Sequence, residues 1–326
     1  MANSNNNWDL KQVLLEKIGS LGGFVNCHAH FDRAYTISPE TFPLANEHLH
    51  KKWKLVDKLK RTSSQEEYER RISFAVEKMI AQGVRIACSF IDIDEAVGLK
   101  AIKAAHNIRK RYKDKISLLF ASQTLKGVLL KEAREWFEKG LPYIDIIGGL
   151  PKTDAPHQDK HIDMLLQYAK QTGKRVHMHV DQENTASEKE TELLAKKAVK
   201  HGLEGRVNAV HCISLAAHPK DYRSKVYKLL TKAGVGVVTC PLAWLASKRH
   251  EELTPTHNSI APVEEMVAAG VTVGLGVDNI ADVYMPFADG DIWTETRALL
   301  EACRFYDIDN IVAIASTNGR KILGVS

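Results

Sequence analysis

Short, apolar, β-branched runs alternate along the chain with longer stretches whose apolar positions recur every three to four residues. Eight runs stand out, at 24–32 (FVNCHAHFD), 84–93, 116–123, 143–151, 174–181 (KRVHMHVD), 206–214 (RVNAVHCIS), 234–242 and 271–279 (VTVGLGVDN). Most are almost continuously apolar, as strands are when a parallel sheet is covered on both faces. Helical periodicity fills the gaps, at 65–81, 95–112, 128–139, 158–171, 185–201 and 220–233. Gly83, Gly140, Gly173, Gly202, Gly234 and Gly270 each precede a strand, where glycine can take the left-handed conformation that stops a helix. Strand then helix, eight times over, predicts an α/β fold of the (β/α)8 TIM-barrel type. An open doubly wound sheet is the alternative, but no glycine-rich first turn supports it. Nothing divides residues 1–326, so one barrel domain is expected, with a short helix over 8–19 leading into the first strand. Residues 34–64, rich in His, Trp and Lys, read as a long connection at the barrel mouth and a candidate lid.

Composition narrows the class. Of the 326 residues, 44% are hydrophobic and 26% charged, which excludes a disordered chain. The net charge of +5 is spread along the sequence, so no nucleic-acid partner is expected. No run approaches the ~18 apolar residues of a membrane span. The start, MANSNNNWDL, has neither the basic nor the apolar region of a signal peptide. Cys27, Cys88, Cys212, Cys240 and Cys303 are far apart and read as reduced thiols, mostly buried, of a cytoplasmic protein. A small-molecule substrate is the expected partner, and homo-oligomerisation is open. The basic cluster 51–61 reads as a solvated face, and Asp32, Asp92 and Asp94 as loop or cap carboxylates.

The unusual polar residues fall at the C-terminal ends of the predicted strands, where barrel chemistry takes place. His28 and His30 end the first, Gln123 the third, His211 the sixth and Asp278 the eighth; His177 and His179 lie in the second half of the fifth. Residues i and i+2 of a strand point the same way, so His28 and His30 can aim at one point. One histidine in an apolar strand is more often a satisfied core group. Histidines on strands one, five and six with an aspartate on eight instead point to a divalent cation. His179, nearer the strand end than His177, is the chosen fifth-strand ligand, and His177 is assigned to the core. His48, His50, His250 and His257 have no partner at a telling spacing.

The motifs NCHAHFDRAY, HMHVDQEN, AVHCISL and GVDNIADVYMPF together resemble the amidohydrolase superfamily, and within it the cytosine deaminase-like branch, over residues 24–324. The resemblance implies a barrel hydrolase with one Zn2+ or Fe2+ held by His28, His30, His179 and Asp278. His211 then matches the histidine that contacts the attacking water or the substrate oxygen. Gln123 matches a glutamine that hydrogen-bonds the heterocycle, Arg33 falls where a lysine is common, and Asn279 and Tyr284 fall among substrate-lining positions. Two departures stand out. Too few residues flank the barrel for the usual accessory β-sandwich, so a member lacking most of it is expected. Deaminases of the branch carry a proton-shuttling Glu where this chain has Gln182, and an amide cannot shuttle that proton. Glu183, one residue on, would need a bulge to turn inward.

The expected chemistry follows from these groups. A divalent cation acidifies its bound water to a pKa of about 7. Asp278 can take that proton and pass it to a leaving nitrogen, while His211 steadies the developing oxyanion. Gln123 and Gln182 can read an amide or amidine edge, and Arg33 a carbonyl or carboxylate. Gln182 tilts the reading toward hydrolysis of a non-peptide C–N bond in an amide or cyclic amide. The alternatives are release of ammonia from an aminoheterocycle and, in another class, a non-catalytic small-molecule-binding barrel. A two-metal site bridged by a strand-four lysine is not expected, since YIDIIGGLP holds none.

Overall fold

The computed structural model describes residues 9–47, 49–246 and 260–326; His48, His250, His257, the side chain of His50 and the first eight residues lie outside them. Eight strands run β1 (Phe24–Asn26), β2 (Val84–Asp92), β3 (Ser117–Gln123), β4 (Ile146–Gly149), β5 (Arg175–Val180), β6 (Val207–His211), β7 (Gly236–Thr239) and β8 (Val273–Leu275). They pair in parallel and in sequence order. The ring closes where the end of β8 meets β1. Cys27 N–H donates to the Leu275 carbonyl at 2.8 Å, and both Val277 and Asp278 N–H groups donate to the His28 carbonyl at 3.0 Å. The fold is therefore the (β/α)8 barrel that the alternating pattern predicts.

Helices cover the outside. Gln65–Ala81 begins in a capping box, the Ser64 hydroxyl accepting from Glu67 N–H while the Glu67 carboxylate accepts from Ser64 N–H. Other helix starts fall later than periodicity suggests because a buried aspartate captures amides at or ahead of the start. The Asp181 carboxylate accepts from Glu190 and Thr191 N–H at 2.7 and 3.1 Å, so that helix runs Glu190–His201. Asp94 instead accepts from Ala96 and Val97 N–H in a turn ahead of the next helix, which starts at Lys100. Gly140 does not stop its helix by a left-handed turn. It is right-handed at φ −79°, and a Cβ there would sit 2.6 Å from Ile93 Cδ1, so packing space explains it. Residues 34–64 are not one open loop: they contain the turn Phe42–Asn46 and the helix Leu49–Thr62.

Two apolar layers result. One lies between sheet and helices; the other fills the barrel with Val25, Cys27, Cys88, Phe90, Ala121, Ile146 and Val238. Burying a side chain the size of Phe90 contributes about 1.5–3 kcal/mol. The terminal helix Thr317–Leu323 plugs the floor, with the Asn208 amide donating to the Ile322 carbonyl at 3.1 Å. The five cysteines are free thiols, all buried except the half-buried Cys303, and burial pushes Cys27 up to about 12. Among the described residues no helix is long and apolar enough to cross a membrane.

Candidate active site

Opposite that floor, the seam between β8 and β1 gathers the strongest donors. β1 ends at Asn26, so His28 and His30 lie just past the ladder, held extended by a parallel bridge between Ala29 and Asp278. Asp278 sits three residues beyond β8 and closes on them: its Oδ1 is 3.3 Å from both His28 Nε2 and His30 Nε2. His211, the last residue of β6, reaches its Oδ2 at 3.9 Å. From β5 the His179 ring centroid comes within 4.7 Å of His28 and 5.5 Å of His30. Ligand atoms of His28, His30 and His179 fall within 4.8 Å of one another, as do those of His28, His211 and Asp278. His177 joins neither group; burial pulls its pKa to about 3, and it remains a core histidine.

These groups suit a divalent cation. Both ring nitrogens of His28 and His211, Nδ1 of His30 and Nε2 of His179 are buried without a hydrogen-bond partner, a costly state unless something ligates them. His179 Nδ1 faces the Gly149 carbonyl at 3.3 Å, an outer contact that turns Nε2 toward the cluster. Burial, reinforced by the Arg33 charge, holds the His30 pKa far below the ordinary imidazole value. Burial does the same to His179, and brings His211 to about 4. Burial would raise Asp278, but His28 and His30 beside it hold it well below the carboxylate range. Neutral imidazoles and an ionised carboxylate are the ligating forms. His211 and Asp278 are both left-handed, at φ 80° and 56°, a conformation costing roughly 1 kcal/mol or more for such residues.

A cavity of about 450 Å³ opens above the cluster. His30, His179, His211 and Asp278 form its base, and Arg33, Gln123, Gln182, Asn279 and Tyr284 line its wall, as does Glu183. The Gln123 Oε1 and Tyr284 hydroxyl are buried without a partner. Asn279 is committed instead, its amide donating to Asp282 Oδ2 at 2.5 Å. Asp181, left-handed at φ 53°, turns the chain after β5 so that Gln182 and Glu183 both face this space.

Arg33 is set deeper than a mouth residue. It lies 3.6 Å from both Asp92 and Asp282, with the Tyr284 ring 5.0 Å from its guanidinium carbon. Lys60 adds a second buried cation, 2.6 Å from Asp94 and 3.4 Å from Asp92. The cluster 51–61 is therefore not simply a solvated face: Lys52 and Lys60 are turned inward, while Lys51, Lys58 and Arg61 are exposed. Likewise Asp92 joins an internal ion network instead of capping a loop. Sequence reading missed Lys52, Leu125, Leu150 and Met285 as cavity lining. The available signal was the spacing of Lys52, Val56 and Lys60, which share one helix face.

The sequence profile of the amidohydrolase family matches residues 21–326. A protein of Haemophilus influenzae described only as uncharacterised is 46% identical over 79% of this chain and 95% of its own length. The N-isopropylammelide isopropyl amidohydrolase of Pseudomonas sp. strain ADP is 24% identical over 93% of this chain and 74% of its own. Among solved structures, the 5-methylcytosine deaminase of Klebsiella pneumoniae liganded with 5-fluorocytosine superposes with a TM-score of 0.85 at 22% identity, covering 93% of this chain and 74% of that one.

Proposed function

The chain belongs to the amidohydrolase family, and from that premise we propose that it hydrolyses a non-peptide C–N bond of a small cyclic nitrogenous molecule, using one divalent cation, Zn2+ or Fe2+. The observation that carries this reading is the convergence of His28, His30 and His179, with Asp278 against the first two, while His28 Nδ1 and Nε2, His30 Nδ1 and His179 Nε2 are buried without a hydrogen-bond partner. Those four would hold the divalent cation, which would supply an acidified water as nucleophile at neutral pH. The chain's own groups do the rest. Asp278, ionised and facing His211, accepts the nucleophile's proton and returns it to the leaving nitrogen. His211 Nε2 donates to the oxygen that gains charge. The vacant Gln123 Oε1 accepts from a ring N–H, and Gln182 offers a donor and an acceptor to an amide edge.

A second reading, release of ammonia from an aminoheterocycle, is favoured by Glu183. Gln182 cannot carry a proton to a ring nitrogen, but Glu183 also lines the cavity, its carboxylate 3.9 Å from Lys152 Nζ. The deciding experiment measures bound metal by elemental analysis, then assays the loaded protein on cyclic amides, ureides and aminoheterocycles beside Asp278→Ala. About one ion per chain and turnover lost in the variant are expected. Activity surviving unchanged in Asp278→Ala overturns the assignment of that carboxylate, and metal-loaded protein inert toward every class overturns the enzymatic reading.

A further inference from the structure

The helix Leu49–Thr62 places Lys52, Val56 and Lys60 on one face, four residues apart, and the fold turns that face inward. Val56 is buried apolar surface, which explains the direction. The two lysines then meet different fates. Lys60 is neutralised by Asp92 and Asp94. Lys52 is 8% exposed and lines the cavity, and among the described residues no carboxylate comes within 4.0 Å of its ammonium. The other charged groups of the cavity are already matched. Glu47 accepts from Lys51 at 2.9 Å, Glu183 is near Lys152, Arg33 lies between Asp92 and Asp282, and Asp278 faces the histidines. Among the described residues of the wall, Lys52 alone brings a positive charge with no carboxylate in contact. Burial lowers its pKa, the Asp282 charge only partly opposing this, so a buried anion beside it would be rewarded.

We infer that the substrate is an anionic ring, bearing a carboxylate or an ionised ring oxygen that pairs with the Lys52 ammonium while the scissile C–N bond lies over the histidine cluster. This rests on the proposed hydrolysis for the position of the bond, but the charge preference can be read by binding alone. A charge-assisted contact of this kind sets discrimination on the order of tenfold or more.

The test uses the Zn2+-loaded protein and calorimetric binding of cytosine, uracil, cytosine-5-carboxylate, uracil-6-carboxylate and barbiturate, with turnover assayed in parallel. At least one anionic ring is expected to bind tenfold or more tighter than the neutral rings. Preference for the carboxylates assigns the charge to a substituent; preference for barbiturate alone assigns it to the ring. Lys52→Met should bring the ratio close to one, and Lys52→Arg should keep it. Where a ring is turned over, the change should fall on KM far more than on kcat. Equal affinity for charged and neutral rings, or a ratio that survives Lys52→Met, overturns the inference. Selective binding without turnover of any ring leaves it standing while removing the proposed hydrolysis; turnover without selectivity does the reverse.

Discussion

Asp278 and His28 are joined twice. The Asp278 N–H donates to the His28 carbonyl at 3.0 Å, and the Asp278 carboxylate lies 3.3 Å from the His28 ring. The first contact closes the barrel; the second assembles the candidate metal centre. Closure of the fold and formation of the site are thus one event, and the left-handed backbone of Asp278 is the conformation that permits both.

Metal retention should follow from the cluster. His28→Ala and His179→Ala each remove one imidazole from the three that converge. Elemental analysis after dialysis should find metal reduced by roughly ten- to a hundredfold in affinity or more, and turnover should fall with it. Chelator treatment of the unaltered protein should give the same loss, reversed by adding Zn2+. A variant that keeps its full metal complement would remove that histidine from the ligand set.

Exchanging the residues after β5 should separate the two readings of the bond. Gln182→Glu introduces a carboxyl able to carry a proton, and general acid–base assistance is worth about 10²–10⁴-fold. Ammonia release from aminoheterocycles should rise relative to cyclic-amide hydrolysis. Glu183→Gln should lower ammonia release while sparing amide hydrolysis if Glu183 is the shuttle. Product analysis for ammonia against ring-opened acid decides it.

Lys60 supports the site through charge. Lys60→Met leaves Asp94 buried without its cation and Asp92 with Arg33 alone. Removing one partner of a buried pair costs about 3–5 kcal/mol. Denaturant unfolding should show a loss of that order, whereas Lys58→Met on the exposed face should change little.

Stability should depend on pH through Glu190. Burial, then the neighbouring Asp181 and Glu188 charges, raise its carboxyl to about 8, with Lys152 opposing. An unfolded glutamate ionises near 4.5, so between about pH 4.5 and 8 the folded state holds the extra proton and stability falls as pH rises. Glu190→Gln should raise the thermal midpoint at pH 8.5, by about 2–4 °C per kcal/mol regained, and leave it almost unchanged near pH 4. A gain that is larger at acidic pH would reverse the sign and refute the account.

The floor should be felt at the mouth. A Cβ at Gly319 would lie 2.6 Å from Val25 Cγ1 and 2.9 Å from Cys27 Sγ, directly beneath His28 in the chain. Gly319→Val should cost about 1–3 kcal/mol by overpacking. It should also weaken metal binding, read by titration, because β1 must shift to accept it.

Periodicity alone determined the barrel, since eight two-sided apolar strands separated by amphipathic helices have few other ways to bury their surface. It also placed the donor histidines at one end, because His28 and His30 two residues apart must point together and strand ends share a rim in a parallel barrel. Helix starts were less legible at Glu190, where Asp181 takes over the first amides from nine residues away, and at Lys100, where Asp94 holds a turn ahead of the helix. The direction of Lys52 and Lys60 was illegible, because a basic helix face declares its spacing but not what it packs against. Only the tertiary structure decided that Asp92 and Asp94 claim one lysine and leave the other at the cavity, a matter of which charges meet across 30 to 40 residues of chain.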